Sequence, residues 1–526
     1  MAHYHRAGPA KAKIKVPGLQ RDANQNLPEL ESSEEKHMVK NEKIDECKKD
    51  SAVGRREFMA GATTSAALIL AAPYQRAFAR PFAADGGRIA GYVTDAQRRH
   101  TAMDGLQWKS GTASSALGDL VRLDLSERYQ KILGFGAAFT DASCFVFSGM
   151  DPAARQKLFV DLFSPQQMNL SFGRCCVGAS DYSREVYSLD DTPGDVSLEH
   201  FSIAHDEQYI LPMLREARHV NPDLFLLASP WSPPGWMKTY GSMLGGWMSG
   251  KYLAPYAEYL ARFLADYKKA GVKVNAVTTQ NEVETDQDGR MPACYWTPEM
   301  EQDFIRDHLG PVLRKKGIDT EIWLLDHNYN LWKRVDWQLR DAELARYVSA
   351  IAWHGYVGSV DMMSRLHELH PQLPFYWTEG GPDITDPNYA KNWTYWAGTF
   401  TGILRNWCGA IIGWNLILDE YGKPNIGPFP CGGLVTLRGD GQIVQSGQYW
   451  AMRHFSQHVQ RGAVRLASHS DASELNHVAF GNPDGSSVVV LTNTGEERLV
   501  NLQVANQIAQ VRVPRNGIVT VTWQRM

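Results

Sequence analysis

The sequence predicts an α/β fold: a (β/α)8 (TIM) barrel with an attached antiparallel β-sandwich built from N- and C-terminal segments. Three observations carry this. A chain of 526 residues exceeds what one hydrophobic core organises, so two or three domains are expected. Between about residues 132 and 415 one pattern recurs eight times: a short apolar run, a polar or aromatic cluster at its end, then helical periodicity. Beyond about residue 461 the texture changes to short β-rich runs broken by Asn482-Pro483-Asp484-Gly485 and Asn493-Thr494-Gly495, which are turn signals of an antiparallel sheet.

Residues 1–54 are polar and mixed in charge, with too few apolar residues to bury a face, and are expected to be disordered. Arg55-Arg56, an uncharged run from Ala60 to Pro73 and Ala77-Phe78-Ala79 follow in the order of a twin-arginine export signal. The run is short of the roughly 20 residues a spanning helix needs, so a cleaved signal is expected within 1–79 and no stable membrane insertion. Cleavage after Ala79 leaves 41 basic and 48 acidic residues, an acidic body suited to the periplasm or to secretion.

Residues 85–127, ending in the strand-like Leu120-Val121-Arg122-Leu123-Asp124-Leu125, are expected to join 461–526 in the sandwich, because an isolated hairpin is marginally stable. The barrel takes 128–460, with strands at Ile132 to Ala138, Leu170 to Val177, Leu224 to Ser229, Val274 to Gln280, Glu321 to Asp326, Ser349 to His354, Pro374 to Thr378 and Ala410 to Asn415. Eight strands alternating with helices in roughly 300 residues fit a closed parallel barrel better than an open sheet. Among the helices, Leu253, Tyr256, Leu260, Phe263, Leu264 and Tyr267 form an apolar stripe, and Gly271 follows as a stop.

Composition narrows the partners. A formal charge of −4 gives no footprint for nucleic acid. Aromatics at 11%, with 16 Trp, suit flat ligands that present C–H faces and hydroxyls, and sugars are one such class; a large aromatic core accounts for the count equally well. No C-x-x-C pair or Cys/His ligand spacing supports zinc among the seven cysteines.

In such barrels the polar residues at the carboxyl ends of the strands form the site. The runs deliver Asp141 after strand one, Arg174 and Asp181 after two, Trp231 and Trp236 after three, Asn281 and Glu282 after four, and Asp326 and His327 after five. His354 and Tyr356 follow strand six, Glu379 strand seven, and Trp414 and Asn415 strand eight. Glu282 follows Val277-Thr278-Thr279-Gln280-Asn281 and Glu379 follows Phe375-Tyr376-Trp377-Thr378, so each ends a run expected to be buried, where a carboxylate is either at the mouth of the barrel or a costly buried charge. Strands four and seven lie across the barrel, so the two side chains can meet. Carboxylates about 5 to 5.5 Å apart are the apparatus of retaining glycoside hydrolysis. Two carboxylates also suit Mg²⁺ or Ca²⁺, but the neighbouring Asn and Trp suit a sugar better, and no metal or other cofactor is expected.

The chain resembles glycoside hydrolase family 30, in its glucosylceramidase-like branch. The resemblance rests on the segments at 134–141, 179–183 and 227–236, on Gln280-Asn281-Glu282 and Thr378-Glu379, and on Gly413-Trp414-Asn415-Leu416 with Pro424-Asn425. It implies Glu282 as acid/base and Glu379 as nucleophile, with Asp181, Trp231, Asn281 and Trp414 shaping the sugar subsite and Arg174 nearby. It further implies that Asn281 donates to the sugar 2-hydroxyl, that Tyr356 with His354 tunes the nucleophile, that Asp141 orients the first loop, and that Asn425 is an outer contact. Val283 after Glu282 and Gly355 between His354 and Tyr356 depart from the common pattern and bear on the leaving-group side.

The expected activity is retaining hydrolysis of a β-glucoside or related β-linked glycoside, with carbohydrate or glycolipid as substrate. An endo-β-1,6-glucanase or β-xylosidase on the same scaffold is the alternative, since fold does not fix substrate. A non-catalytic carbohydrate-binding protein is the rival from another class, and it has no need of two facing glutamates. The sequence leaves the oligomeric state open.

Overall fold

A computed structural model describes residues 89–111 and 118–524; the polar tail and export signal read within 1–79 lie outside the described residues. All eight expected runs form strands of one closed parallel barrel: Gly134–Phe139, Phe172–Val177, Phe225–Pro230, Ala276–Thr278, Glu321–Asn328, Val348–His354, Phe375–Glu379 and Cys408–Gly413. Their near-continuous apolar character follows from burial on both faces. Inside the barrel, Phe172 and Trp323 fill the space left by Ala276, Ala350, Ala352 and Ala410, so large and small side chains interdigitate. Strands one and two approach so closely that a Cβ on Gly136 would stand 1.4 Å from the Phe172 carbonyl oxygen. Only glycine fits there.

The helix Leu253–Lys269 buries the expected stripe of Tyr256, Leu260, Phe263, Leu264 and Tyr267. It stops at Ala270, and Gly271 takes the left-handed conformation (φ 85°) that turns the chain toward strand four.

The second unit is a ten-stranded sheet in which the N-terminal strands Ile89–Thr94 and Asp119–Lys131 lie among strands from the C-terminal segment. The sheet is antiparallel except where Asp119 to Leu123 run parallel to Val500 to Val504. Strand alternation gives it two cores. Val478, Phe480, Val488, Val490 and Ile518 join the core of the barrel, while Val121, Val489, Leu491, Val500 and Val519 form a separate cluster on the other face. The sheet thus curls over its own interior as a sandwich does, with its outer layer docked on the barrel.

Candidate active site

The carboxyl ends of the barrel strands converge on one buried ion network centred on Arg174 from strand two. Its guanidinium donates to Glu379 Oε2 (2.5 Å), Asp326 Oδ2 (2.7 Å), Asn281 Oδ1 (2.7 Å) and Ser229 Oγ (3.1 Å). It also stacks over Trp231, whose ring is nearly parallel to that of Trp414, with centroids 4.9 Å apart. A fully buried cation is tolerable only with such pairing. Asp326 is the second hub, accepting in addition from Ser229, Thr278 and Thr378 hydroxyls and lying 3.0 Å from His354 Nε2. Burial alone would raise its carboxyl, but Arg174 and the bonds from His354 and Thr378 hold it far below the ordinary range. Asp326 is therefore ionised, which fixes the proton of His354 on Nε2.

Glu282 and Glu379 face each other across this network: a carboxylate oxygen of each and a ring nitrogen of His354 all lie within 4.8 Å of one another. Glu379 accepts from Arg174 on one oxygen and from the Tyr356 hydroxyl on the other (3.0 Å). Glu282 accepts from Gln287 Nε2 on Oε2 (2.8 Å), and its Oε1 lies 3.3 Å from His354 Nδ1. Its backbone takes the left-handed conformation (φ 57°), pinned by its N–H to the Asp326 carbonyl at 2.9 Å. A non-glycine residue in that region is strained, and the strain is borne by the residue that aims this carboxylate.

The electrostatics couple the two carboxylates. Burial pushes Glu379 up, against the pull of His354 and Arg174, and the Glu282 charge adds to the rise. Burial likewise opposes ionisation of Glu282, but the bond from His354 and the charges of His327 and His354 bring it down to about 2. His354 is the counterpart. Burial lowers it, yet the Glu379 charge and the bonds to Asp326 and Glu282 raise it to about 9. These directions leave the proton on His354 Nδ1, 3.3 Å from an ionised Glu282 Oε1, and moving it across that contact leaves the net charge of the site unchanged. The same charges argue against a cation here: the guanidinium already neutralises Glu379, and a protonated imidazole is no metal ligand.

Of the residues read from the sequence, Arg174, Asn281, Glu282, His354, Tyr356 and Glu379 are tied into one set of contacts, with Trp231 and Trp414 as its floor. Because Asn281 Oδ1 is occupied by Arg174, its amide nitrogen is left to donate outward. Asp181 is buried and its Oδ1 has no partner; burial, followed by the charges of Glu379 and Glu282, pushes its carboxyl well up. An unpartnered acceptor in a polar pocket is a place for a ligand hydroxyl. Asp141 accepts from His205, Tyr209 and the Arg184 backbone, orienting the first loop.

His354 lies against Glu282 and Asp326 and acts on Glu379 through its charge, while the Tyr356 hydroxyl bonds Glu379 directly. One placement differs from the expectation. Asn425 spends its side chain within its own turn, donating to the Phe429 carbonyl at 2.7 Å and accepting from the Gly427 N–H. The sequence also passed over Ser229, Thr278, Thr378 and Gln287. The first three sit on strand positions whose inward direction a hydrophobic run does not reveal. Gln287 (φ 51°) lies in an irregular loop with no periodic signal.

Fold and facing carboxylates together define a barrel glycoside hydrolase. The glycosyl hydrolase family 30 TIM-barrel domain matches residues 132–459, and the family's beta sandwich domain matches residues 462–521. The chain belongs to glycosyl hydrolase family 30. It is 34% identical over 396 residues to putative glucosylceramidase 1 of Caenorhabditis elegans, covering 71% of this chain and 76% of that protein. It is equally 34% identical over 418 residues to an endo-1,6-beta-D-glucanase of Neurospora crassa, covering 75% and 86%. Among solved structures, the endo-beta1,6-glucanase BT3312 superposes with a TM-score of 0.76 at 27% identity, covering 83% of this chain and all of that one.

Proposed function

We propose that the protein hydrolyses β-glucosides with retention of configuration, with Glu379 as nucleophile and Glu282 as acid/base. The observation that carries this is the approach of the two carboxylates to within 4.8 Å, on strands four and seven, each with its own donors. Glu379 attacks the anomeric carbon while Glu282 Oε1 gives its proton to the departing glycosidic oxygen, so the glycosidic bond breaks as a glycosyl ester forms. Gln287 holds Oε2 as an acceptor, which leaves Oε1 as the oxygen that carries the proton. In the second step Glu282, now a carboxylate, takes a proton from water as the water oxygen displaces Glu379. The guanidinium on Glu379 Oε2 and the Tyr356 hydroxyl on Oε1 stabilise the carboxylate as leaving group.

Asp181 Oδ1 and the Asn281 amide are the proposed sugar contacts, the latter toward the 2-hydroxyl. Trapping with a 2-fluoro-glucoside and locating the label by mass spectrometry tests the assignment; a folded enzyme labelled on any residue but Glu379 overturns it. The two relatives named for glucosyl linkages, one in a glycolipid and one in a β-1,6-glucan, support glucose as the glycone. Turnover of β-1,6-gluco-oligosaccharides against glucosylceramide decides the leaving group. We further propose twin-arginine export to the periplasm or beyond, with 85–127 and 461–526 as one domain and 128–460 as the other. Replacing Arg55-Arg56 by Lys-Lys should retain activity in the cytoplasm; unchanged periplasmic activity overturns the export reading. No helix among the described residues is long and apolar enough to cross a membrane.

A further inference from the structure

We propose that the loop pair beside Glu282 is the leaving-group subsite and that Trp247 and Tyr240 on it receive a second sugar ring of a neutral β-glucan. The inference rests on Glu282 as proton donor, because the donor stands on the leaving-group side of the bond it cleaves.

The segment after barrel strand three is zipped to the segment after Glu282 by four backbone bonds: Gly245 N–H to Met291 O (3.3 Å), Ala293 N–H to Met243 O (3.2 Å), Tyr295 N–H to Gly246 O (2.9 Å) and Met248 N–H to Tyr295 O (3.4 Å). At Gly245 (φ 60°) the backbones are so close that a Cβ would meet the Gly289 Cα at 2.8 Å. The buried Lys238 ammonium fastens the pair, donating to Ser232 Oγ, the Met243 carbonyl and the Ala293 carbonyl. The same loop reaches Glu282 through Gln287. Acid and rim therefore form one unit.

On that unit two rings are left to solvent. Trp247 is 41% exposed, with its ring 4.2 Å from that of Tyr295, and Tyr240 is 79% exposed. Large exposed rings grouped beside a catalytic pocket mark a ligand surface. Their charge setting selects the ligand. Asp286 and Asp288 line the same loop, Arg290 pairs with Asp288 at 3.4 Å, Lys238 is buried and Lys251 sits over the Tyr252 ring, so among the described residues at 239–249 and 286–295 no unpaired cation faces an anionic surface. A hexopyranose ring, with a C–H face for the indole and hydroxyls for the carboxylates, fits this chemistry.

The test compares the full chain with Trp247→Ala/Tyr240→Ala on a β-1,6-linked gluco-oligosaccharide and on β-glucosyl fluoride, whose departing atom reaches no rim. The ratio of kcat/KM for the oligosaccharide to that for the fluoride should fall at least tenfold, mainly through KM. A proportional loss on both substrates, or no loss on either, overturns the proposal, as does a loss seen with glucosylceramide in neutral vesicles and not with the oligosaccharide. Calorimetric binding of the same oligosaccharide to Glu379→Ala, with and without the rim substitutions, reads the surface without turnover, and equal affinities overturn it too. Absence of labelling at Glu379 strikes the catalytic reading instead, so the two failures are told apart.

Discussion

Acid should loosen the seam between sheet and barrel through three clustered histidines, His454 buried and His100 and His458 half-buried. His454 and His458 come from the helix Gly447–Ser456 and the turn after it, and His100 from the turn after the first sheet strand. His100 and His458 share a contact between their Nε2 atoms at 3.0 Å, and Tyr92 stacks against both rings. His454 is held between the Thr520 and Thr94 hydroxyls. Burial, and then the neighbouring Arg453 charge, lowers His458 to about 4; burial, His458 and Arg453 lower His100 to about 3; His454 falls well below its ordinary value. A histidine with a depressed folded pKa keeps its full stabilisation above about pH 6.5, where folded and unfolded forms are both neutral. As pH falls from 6.5 toward 4, the unfolded chain takes up the proton first and stability drops. Between an unfolded value of about 6.5 and a folded value of about 4, His458 alone should cost roughly 2.5 kcal/mol at about pH 4.5. For a body of this size that is a shift of roughly 3 °C in Tm. Thermal unfolding of the wild type and His458→Gln, followed from about pH 7.5 to 4.5, should show the two curves converging by that amount. Parallel curves would mean that the imidazole is not held neutral and would refute the reasoning.

The remaining expectations concern the pocket. Glu282→Ala should slow substrates with poor leaving groups by about 10²-fold or more while sparing activated ones, measured on a series of aryl β-glucosides of graded phenol acidity; equal losses across the series count against its acid role. His354→Gln should move the alkaline limb of the kcat/KM profile down by at least one pH unit from the neighbourhood of 9, since the site then has no imidazole to hold that proton beside Glu282; an unmoved limb refutes the coupling of His354 to Glu282. Arg174→Met should destabilise the fold by about 3–5 kcal/mol in urea unfolding, because Asp326 and Glu379 are left buried without their cation.

The barrel was readable because its strands, buried on both faces, are short and mainly apolar with polar residues toward their carboxyl ends, although Arg174 stands in the middle of strand two. Strand four shows the limit: Val274 to Gln280 reads as seven strand residues, but only Ala276–Thr278 pair, since the chain leaves the ladder early to lift Asn281 and Glu282 into the mouth. Glu282 and Glu379 stood out because each ends a run that the barrel must bury, where a charge has to face the mouth or be paired. Asp326 stood equally at a strand end, yet its role as hub depends on Leu325 and Asp326 both taking positive φ, a local distortion with no sequence signal. The hydrogen-bond partners of His354, Glu282 and Asp326, have no sequence signal either, since they lie on strands four and five.

The strand Asp119–Lys131 lies between neighbours that arrive more than three hundred residues later, pairing on one side with Val464 to His469 and on the other with Val500 to Val504, and only Ile132 and Leu133 separate it from the first barrel strand. During synthesis it must wait, unpaired, until almost the whole polypeptide has left the ribosome. Gene fusions or exchanges that treat the C-terminal stretch as a transplantable module would carry off most of a sheet and leave its middle behind, so recombination between relatives should succeed only when both ends travel together.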